Sequence, residues 1–103
     1  MRITDVKITK IEGEHNTNMR AYVAFTIDGE FVVHGAKIIE GNKGIFVAMP
    51  QEVSYDKNTG MKEFLDICHP IKTETRNKIT EAVLDAYYKL LDKENDNEGY
   101  INE

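Results

Sequence analysis

Hydrophobic and polar residues alternate through the first half of the chain, most regularly in residues 19–27. One face of this segment is entirely apolar: Met19, Ala21, Val23, Phe25 and Ile27. Because side chains of a β-strand point alternately to opposite faces, this pattern predicts a strand with one buried face. Residues 2–12 and 31–40 alternate less regularly and predict a strand on each side of it in the sequence.

Turn signals separate these strands and two further ones. Asp28-Gly29 is typical of a two-residue hairpin turn, in which both residues adopt positive φ. Gly41 to Gly44 predicts a second turn, and the apolar run from Ile45 to Met49 predicts a buried, central fourth strand. Polar residues 51–60 indicate a loop, and residues 64–67 predict a short fifth strand.

A single helix is predicted after Pro70, with Thr73 or Thr75 as the capping residue. Apolar residues at helical spacing form one stripe that can pack on the sheet: Ile79, Val83, Ala86, Tyr87 and Leu90. Three more apolar residues lie beside the stripe: Leu84, Tyr88 and Leu91. They make the apolar arc wider than one sheet face requires, so we expect them to contact a partner. The predicted fold is α+β, a small antiparallel sheet of about five strands with a C-terminal amphipathic helix.

Length and charge divide the chain into one domain and a tail. The 103 residues are 41% hydrophobic, enough for one packed core. The chain has 18 acidic and 13 basic residues. Residues 92–103 contain five of the acidic residues and one of the basic residues, so residues 1–91 keep 13 acidic and 12 basic residues. The domain is therefore nearly neutral although the whole chain has a net charge of −5. The polar, acidic end predicts a frayed or disordered tail over residues 92–103.

The sequence offers little for catalysis, metal binding or membrane insertion. Cys68 is the only cysteine and is expected to be buried and inert, while His34 and His69 have no further ligand or nucleophile at a motif spacing. We therefore expect no enzyme activity, no metal, no cofactor and no small-molecule substrate. No apolar run approaches the roughly 20 residues of a membrane helix, and no signal peptide is recognisable. A cytoplasmic location is expected.

Three cations surround the predicted start of the helix: Lys72, Arg76 and Lys78. Free N–H groups and the positive end of the helix dipole favour an anion there, so a phosphate can bind. Alternatively, the lysines are solvated charges and Arg76 pairs with an acidic residue across an interface. Clusters of three cations are common, so composition alone favours this second interpretation.

Several runs of residues together resemble the stage V sporulation protein G (SpoVG) family. They are NMRAY at 18–22, FVVH at 31–34, EGNKGIFVAMP at 40–50, DICHPI at 66–71 and TRNKI at 75–79. Their order and spacing match the family over about residues 2–91. The acidic tail lies outside the resemblance.

The resemblance implies a homodimer that binds DNA or RNA and regulates processes tied to septation and sporulation. The positions that match the family's nucleic-acid-contacting basic residues are Arg76, Lys78 and Arg20, whereas Lys72 is included only because it lies at the predicted start of the helix. After Pro50 the family commonly carries a short basic stretch. This chain instead has QEVSY and a longer, less basic loop over residues 51–63, so one cationic patch is missing.

The sequence is compatible with two functions. One is a dimeric regulator that binds nucleic acid, and the alternative is a protein-interaction adaptor in cell division without direct nucleic-acid binding. Salt dependence separates them, because neutralising phosphates releases counterions whereas an apolar protein interface responds little to salt.

Overall fold

The fold is α+β, as predicted, but it has six strands rather than about five. A computed structural model describes the backbone of residues 1–11 and 18–101 and the side chains of residues 1–11 and 18–94. The elements in chain order are β1 (Ile3–Lys10), β2 (Met19–Ile27), β3 (Phe31–Gly41), β4 (Gly44–Ala48), β5 (Gln51–Tyr55), β6 (Lys62–Asp66) and α1 (Thr73–Ile101).

Strands β1 to β4 form an antiparallel sheet in sequence order, and α1 packs on one of its faces. The alternation of β2 is confirmed, because Ala21, Val23 and Phe25 are buried whereas Tyr22 between them is exposed. The buried core joins the inner face of the sheet to the apolar stripe of the helix. Its members are Ala21, Val23, Phe25, Ala36, Ile38, Val47, Met49, Ile79, Val83 and Tyr87.

The turn between β2 and β3 has the predicted backbone conformation. Asp28 and Gly29 have φ values of 53° and 68°, which is the left-handed region that this turn requires. Asp28 also fixes the start of β1, because its Oδ1 accepts a hydrogen bond from the N–H of Arg2 at 2.8 Å. The two hairpin strands and the first strand are thus joined at one corner of the sheet.

The strands after β3 differ from the prediction. The apolar run that predicted a central strand forms β4, which lies at the edge of the sheet beside β3. Residues 51–55, predicted as loop, form β5, which pairs with β6 in a separate two-stranded sheet. The reason is that alternating Val53 and Tyr55 among polar neighbours suits a hairpin strand even where no core lies beneath it.

The helix is longer than the sequence indicated. It begins at Thr73, and the carbonyl of Lys72 accepts the first helical hydrogen bond from the N–H of Arg76 at 3.1 Å, so Lys72 occupies the capping position. The helix continues to Ile101, past the boundary where a disordered tail was predicted. An ion pair of 2.6 Å between Lys10 and Glu94 joins this extension to β1. The mobility of residues 93–103 stays a prediction.

Candidate nucleic-acid interface

The cations predicted at the helix start are all exposed in the structure. Lys72 immediately precedes α1, and Arg76 and Lys78 lie in its first two turns. Glu74 is the one acidic residue between Lys72 and Lys78, so the segment carries three basic groups against one acidic group. Within the described residues, none of the three cations forms an ion pair. Their charges are therefore available to an anionic partner.

Arg76 and Lys78 point away from each other. Two residues along an α-helix correspond to a rotation of about 200°, so these side chains leave the helix on opposite sides. Lys78 is also held in place, because its Nζ donates a hydrogen bond of 3.1 Å to the carbonyl of Met1. This arrangement suits contacts to separate phosphates along a backbone and does not converge on a single phosphate.

Arg20 does not join this group. The helix start lies beside the turn that follows Ile27, at one end of β2, whereas Arg20 lies at the other end. The seven residue steps from Arg20 to Ile27 correspond to about 23 Å along a strand. Its Nε donates to Oε1 of Glu40 at 2.9 Å, which offsets its charge. Within one protomer β2 therefore separates Arg20 from the cations at the helix start by nearly its whole length, and a contact of Arg20 with nucleic acid stays a prediction.

The predicted partner-contact residues are placed unequally. Leu84 and Leu91 are partly buried and pack against the core, so the wide apolar arc is largely used within the chain. Tyr88 is 47% exposed, and its ring centroid lies 5.8 Å from that of Tyr87. Among these three residues, Tyr88 presents the largest surface for a partner.

The β5–β6 hairpin carries the apolar surface that the sequence did not predict. Residues directly opposite each other in an antiparallel pair share a face, and the pairs Val53 with Phe64 and Tyr55 with Lys62 therefore lie on one side of the hairpin. Val53, Tyr55 and Phe64 are all exposed, and Lys62 Nζ lies 5.2 Å from the centroid of the Phe64 ring. The alternation of Val53 and Tyr55 was the available signal, but the polar residues around them favoured a loop.

The remaining sequence candidates are Cys68, His34 and His69. Cys68 is exposed, so the expectation that it is buried is wrong; it lies in the connection after β6, outside the core. His34 is exposed, and the Nδ1 of His69 lies 3.1 Å from the carbonyl of Pro70. No group of three histidine, cysteine, aspartate or glutamate residues within the described ranges could hold a metal.

Two further features bear on ligands and membranes. An apolar cavity of about 210 Å³ lies between the helix start and the sheet, and Phe25, Met49 and Ile79 are among its lining residues. Most of its lining residues are apolar, and His69 and Thr75 bring polar side chains to it. No helix in the part of the chain that the structure describes is long and apolar enough to cross a membrane.

Comparison with known proteins gives one consistent result. A model of the SpoVG family matches residues 1–89. Proteins named "Putative septation protein SpoVG" are 49% identical in Clostridium novyi (96% of this chain and 92% of the relative), 53% in Lachnospira eligens (86% and 93%) and 46% in Clostridium kluyveri (100% of both). The family match covers both the sheet and the helix start with its three cations, and on this evidence the chain belongs to the SpoVG family.

Proposed function

We propose that this protein is a homodimer that binds DNA or RNA in a regulatory role connected with septation and sporulation. The connection with septation rests on the names of its relatives. The observation that carries nucleic-acid binding is the set of exposed cations at the start of α1, Lys72, Arg76 and Lys78, which have no ion-pair partner in the described residues.

The acidic net charge of the chain is compatible with this proposal because the charge is unevenly distributed. Residues 92–103 contain five acidic residues and one lysine, whereas residues 1–91 are nearly neutral. The ion pair of Glu94 with Lys10 lies near the end of β1 away from the helix start. Since the Debye length is about 8 Å at physiological salt, the acidic segment weakens long-range attraction more than direct phosphate contact.

Salt dependence of binding tests the proposal. If Arg76 and Lys78 from both protomers neutralise about four phosphates, log K should fall with log salt at a slope of about −3.6 for duplex DNA. Arg76→Ala or Lys78→Ala removes one cation from each protomer and should lower the magnitude of this slope by about 2. Fluorescence anisotropy with a labelled duplex, measured at several salt concentrations, gives both values.

A matched variant controls for a general loss of positive charge. Lys57→Ala removes an exposed lysine at the tip of the hairpin and should leave the slope unchanged. Folded, dimeric Arg76→Ala and Lys78→Ala proteins with the wild-type affinity and slope would contradict the proposal.

The exposed hairpin supports the homodimer. A two-stranded hairpin is marginally stable alone, and burial of its apolar residues Val53, Tyr55 and Phe64 against another surface is favourable. The hairpin is also unsuited to a polyanion, because residues 51–67 contain four acidic residues and two lysines. A second copy is always present at the same concentration, and an isologous pair would cover both hairpins.

The same hairpin favours the protein-interaction adaptor as the second candidate function. In that case another protein would cover Val53 and Phe64, and the purified chain would be monomeric. Absence of nucleic-acid binding together with a monomeric mass would move this adaptor function ahead of the regulator.

A further inference from the structure

The face of the four-stranded sheet opposite α1 is open to solvent and carries its own chemistry. The outward residues of β1 and β2 alternate with core residues, so Lys7, Thr9 and Tyr22 share this face. Together with His34 and Gly35 at the bulge in β3, they line a shallow depression of about 260 Å³. This surface faces away from the helix and is therefore separate from the helix-start cations.

Tyr22 lies near the centre of this face. It is 49% exposed and is directly opposite Thr9 on β1 and Lys37 on β3. Directly opposed residues have Cβ atoms about 5 Å apart, so a planar group above the Tyr22 ring is within reach of Lys37. A second ring, Phe46 on β4, is 47% exposed on the same face.

The charge of the face favours an anionic ligand. Lys7 and Lys37 lie on opposite sides of Tyr22, and within the described residues neither forms an ion pair. Asp5 is the one carboxylate among the outward residues of β1 and lies near the far end of the face, opposite Thr26. This face therefore combines the aromatic ring of Tyr22 and the hydroxyl of Thr9 with the two lysine cations. The larger exposed apolar cluster of the molecule lies on the hairpin instead.

We propose that the open sheet face binds single-stranded nucleic acid, with a base stacked on Tyr22 and the backbone contacted by Lys7 and Lys37. Unpaired bases expose the flat faces that a tyrosine ring can stack on, whereas a duplex hides them. This inference rests on the proposed nucleic-acid function and adds a second surface, specific for single strands, to the cations of the helix start.

The test compares single strands with a duplex in the full-length protein. The probes are a labelled 12-nucleotide oligo(U) RNA, an oligo(dT) of the same length and a labelled DNA duplex, each measured by anisotropy. Tyr22→Leu removes the ring and should weaken binding of both single strands roughly 5- to 150-fold, the range for removal of one stacked base, while duplex binding is unchanged. Tyr22→Phe keeps the ring and should bind like the wild type.

Lysine variants supply the second half of the test. Lys7→Gln and Lys37→Gln should each lower the magnitude of the single-strand salt slope by about 0.7 for each phosphate that the variant no longer neutralises. Lys57→Gln, with the same charge change on the hairpin, should leave the slope unaltered. If Tyr22→Leu does not fold, as judged by circular dichroism, Phe46→Leu and the lysine variants decide the outcome.

Failure of this inference differs from failure of the proposed function. Single-strand binding that is unaffected by Tyr22→Leu, Phe46→Leu and both lysine variants would overturn the inference, even where duplex binding still depends on Arg76 and Lys78. Equal weakening of duplex and single strands by Tyr22→Leu would overturn it as well. A wild-type protein that binds neither kind of nucleic acid would overturn the proposed function, and a protein partner captured through Tyr22 would assign the face to protein docking instead.

Discussion

Replacing Phe64 with threonine should dissociate the dimer while leaving the fold of each protomer intact. Phe64 is 58% exposed in one protomer and is not among the residues that pack against the core. A phenylalanine side chain presents about 200 Å², so roughly 115 Å² remains to be covered. At about 25 cal/mol per Å², complete coverage contributes about 3 kcal/mol per protomer and about 6 kcal/mol per symmetric dimer.

Threonine keeps part of this area and suits a strand, so about half of the contribution should disappear. A decrease of about 3 kcal/mol raises the dimer Kd roughly 100-fold. Sedimentation equilibrium over a range of protein concentrations distinguishes the protomer of 11.8 kDa from a dimer of twice that mass. Circular dichroism of the variant should retain the wild-type signal of the helix.

Two variants with the same product residue locate the interface. Val32→Thr changes the open sheet face and should leave the dimer unaffected, whereas Tyr88→Thr tests the partner contact that the helix pattern predicted. An unchanged dimer Kd for Phe64→Thr combined with dissociation by Tyr88→Thr would refute the hairpin interface in favour of the helix. A wild-type protein that is monomeric at every concentration would refute the dimer itself.

Two further predictions concern the body of the fold. Ile38 is fully buried, so Ile38→Ala should lower the free energy of unfolding by about 2–5 kcal/mol in urea titrations at fixed protein concentration. Ile71 is 90% exposed, so Ile71→Ala should change the free energy of unfolding by less than about 0.5 kcal/mol. Equal effects of the two variants would contradict the described core. The exposed Cys68 should react with a thiol reagent in native buffer, one thiol per chain, and reaction only after denaturant is added would show it to be buried.

The elements that the sequence predicted well are those in which local pattern and core packing agree. β2 alternates because its inner residues meet the helix, and Asp28-Gly29 adopts positive φ because both residue types tolerate it. The stripe of Ile79, Val83 and Tyr87 is likewise buried as its spacing indicated. In each case the pattern along the chain indicates the face or the turn that the packed structure uses.

The errors arise where structure depends on distant pairing. The apolar run that forms β4 is typical of a central strand, yet the order β1-β2-β3-β4 leaves it at the edge, and no local property specifies strand order. β5 pairs with β6 through hydrogen bonds but is mostly exposed. Because it needs no buried apolar face, its polar sequence was typical of a loop. Arg20 and Arg76 matched the same family pattern, but only the three-dimensional arrangement shows that β2 separates them.

The hairpin also divides the molecule into parts of unequal local stability. It makes few contacts with the other elements, and the hydrogen bond from the N–H of Ile67 to the carbonyl of Pro50 at 2.8 Å only closes the base of the hairpin itself. In a lone protomer, the amide protons of Val53 and Phe64 therefore exchange with solvent through local openings of low free energy, whereas those of Ile38 and Val83 exchange only when the whole core unfolds. A melting curve followed through the helix reports on the core alone, and a single melting temperature leaves the hairpin unmeasured.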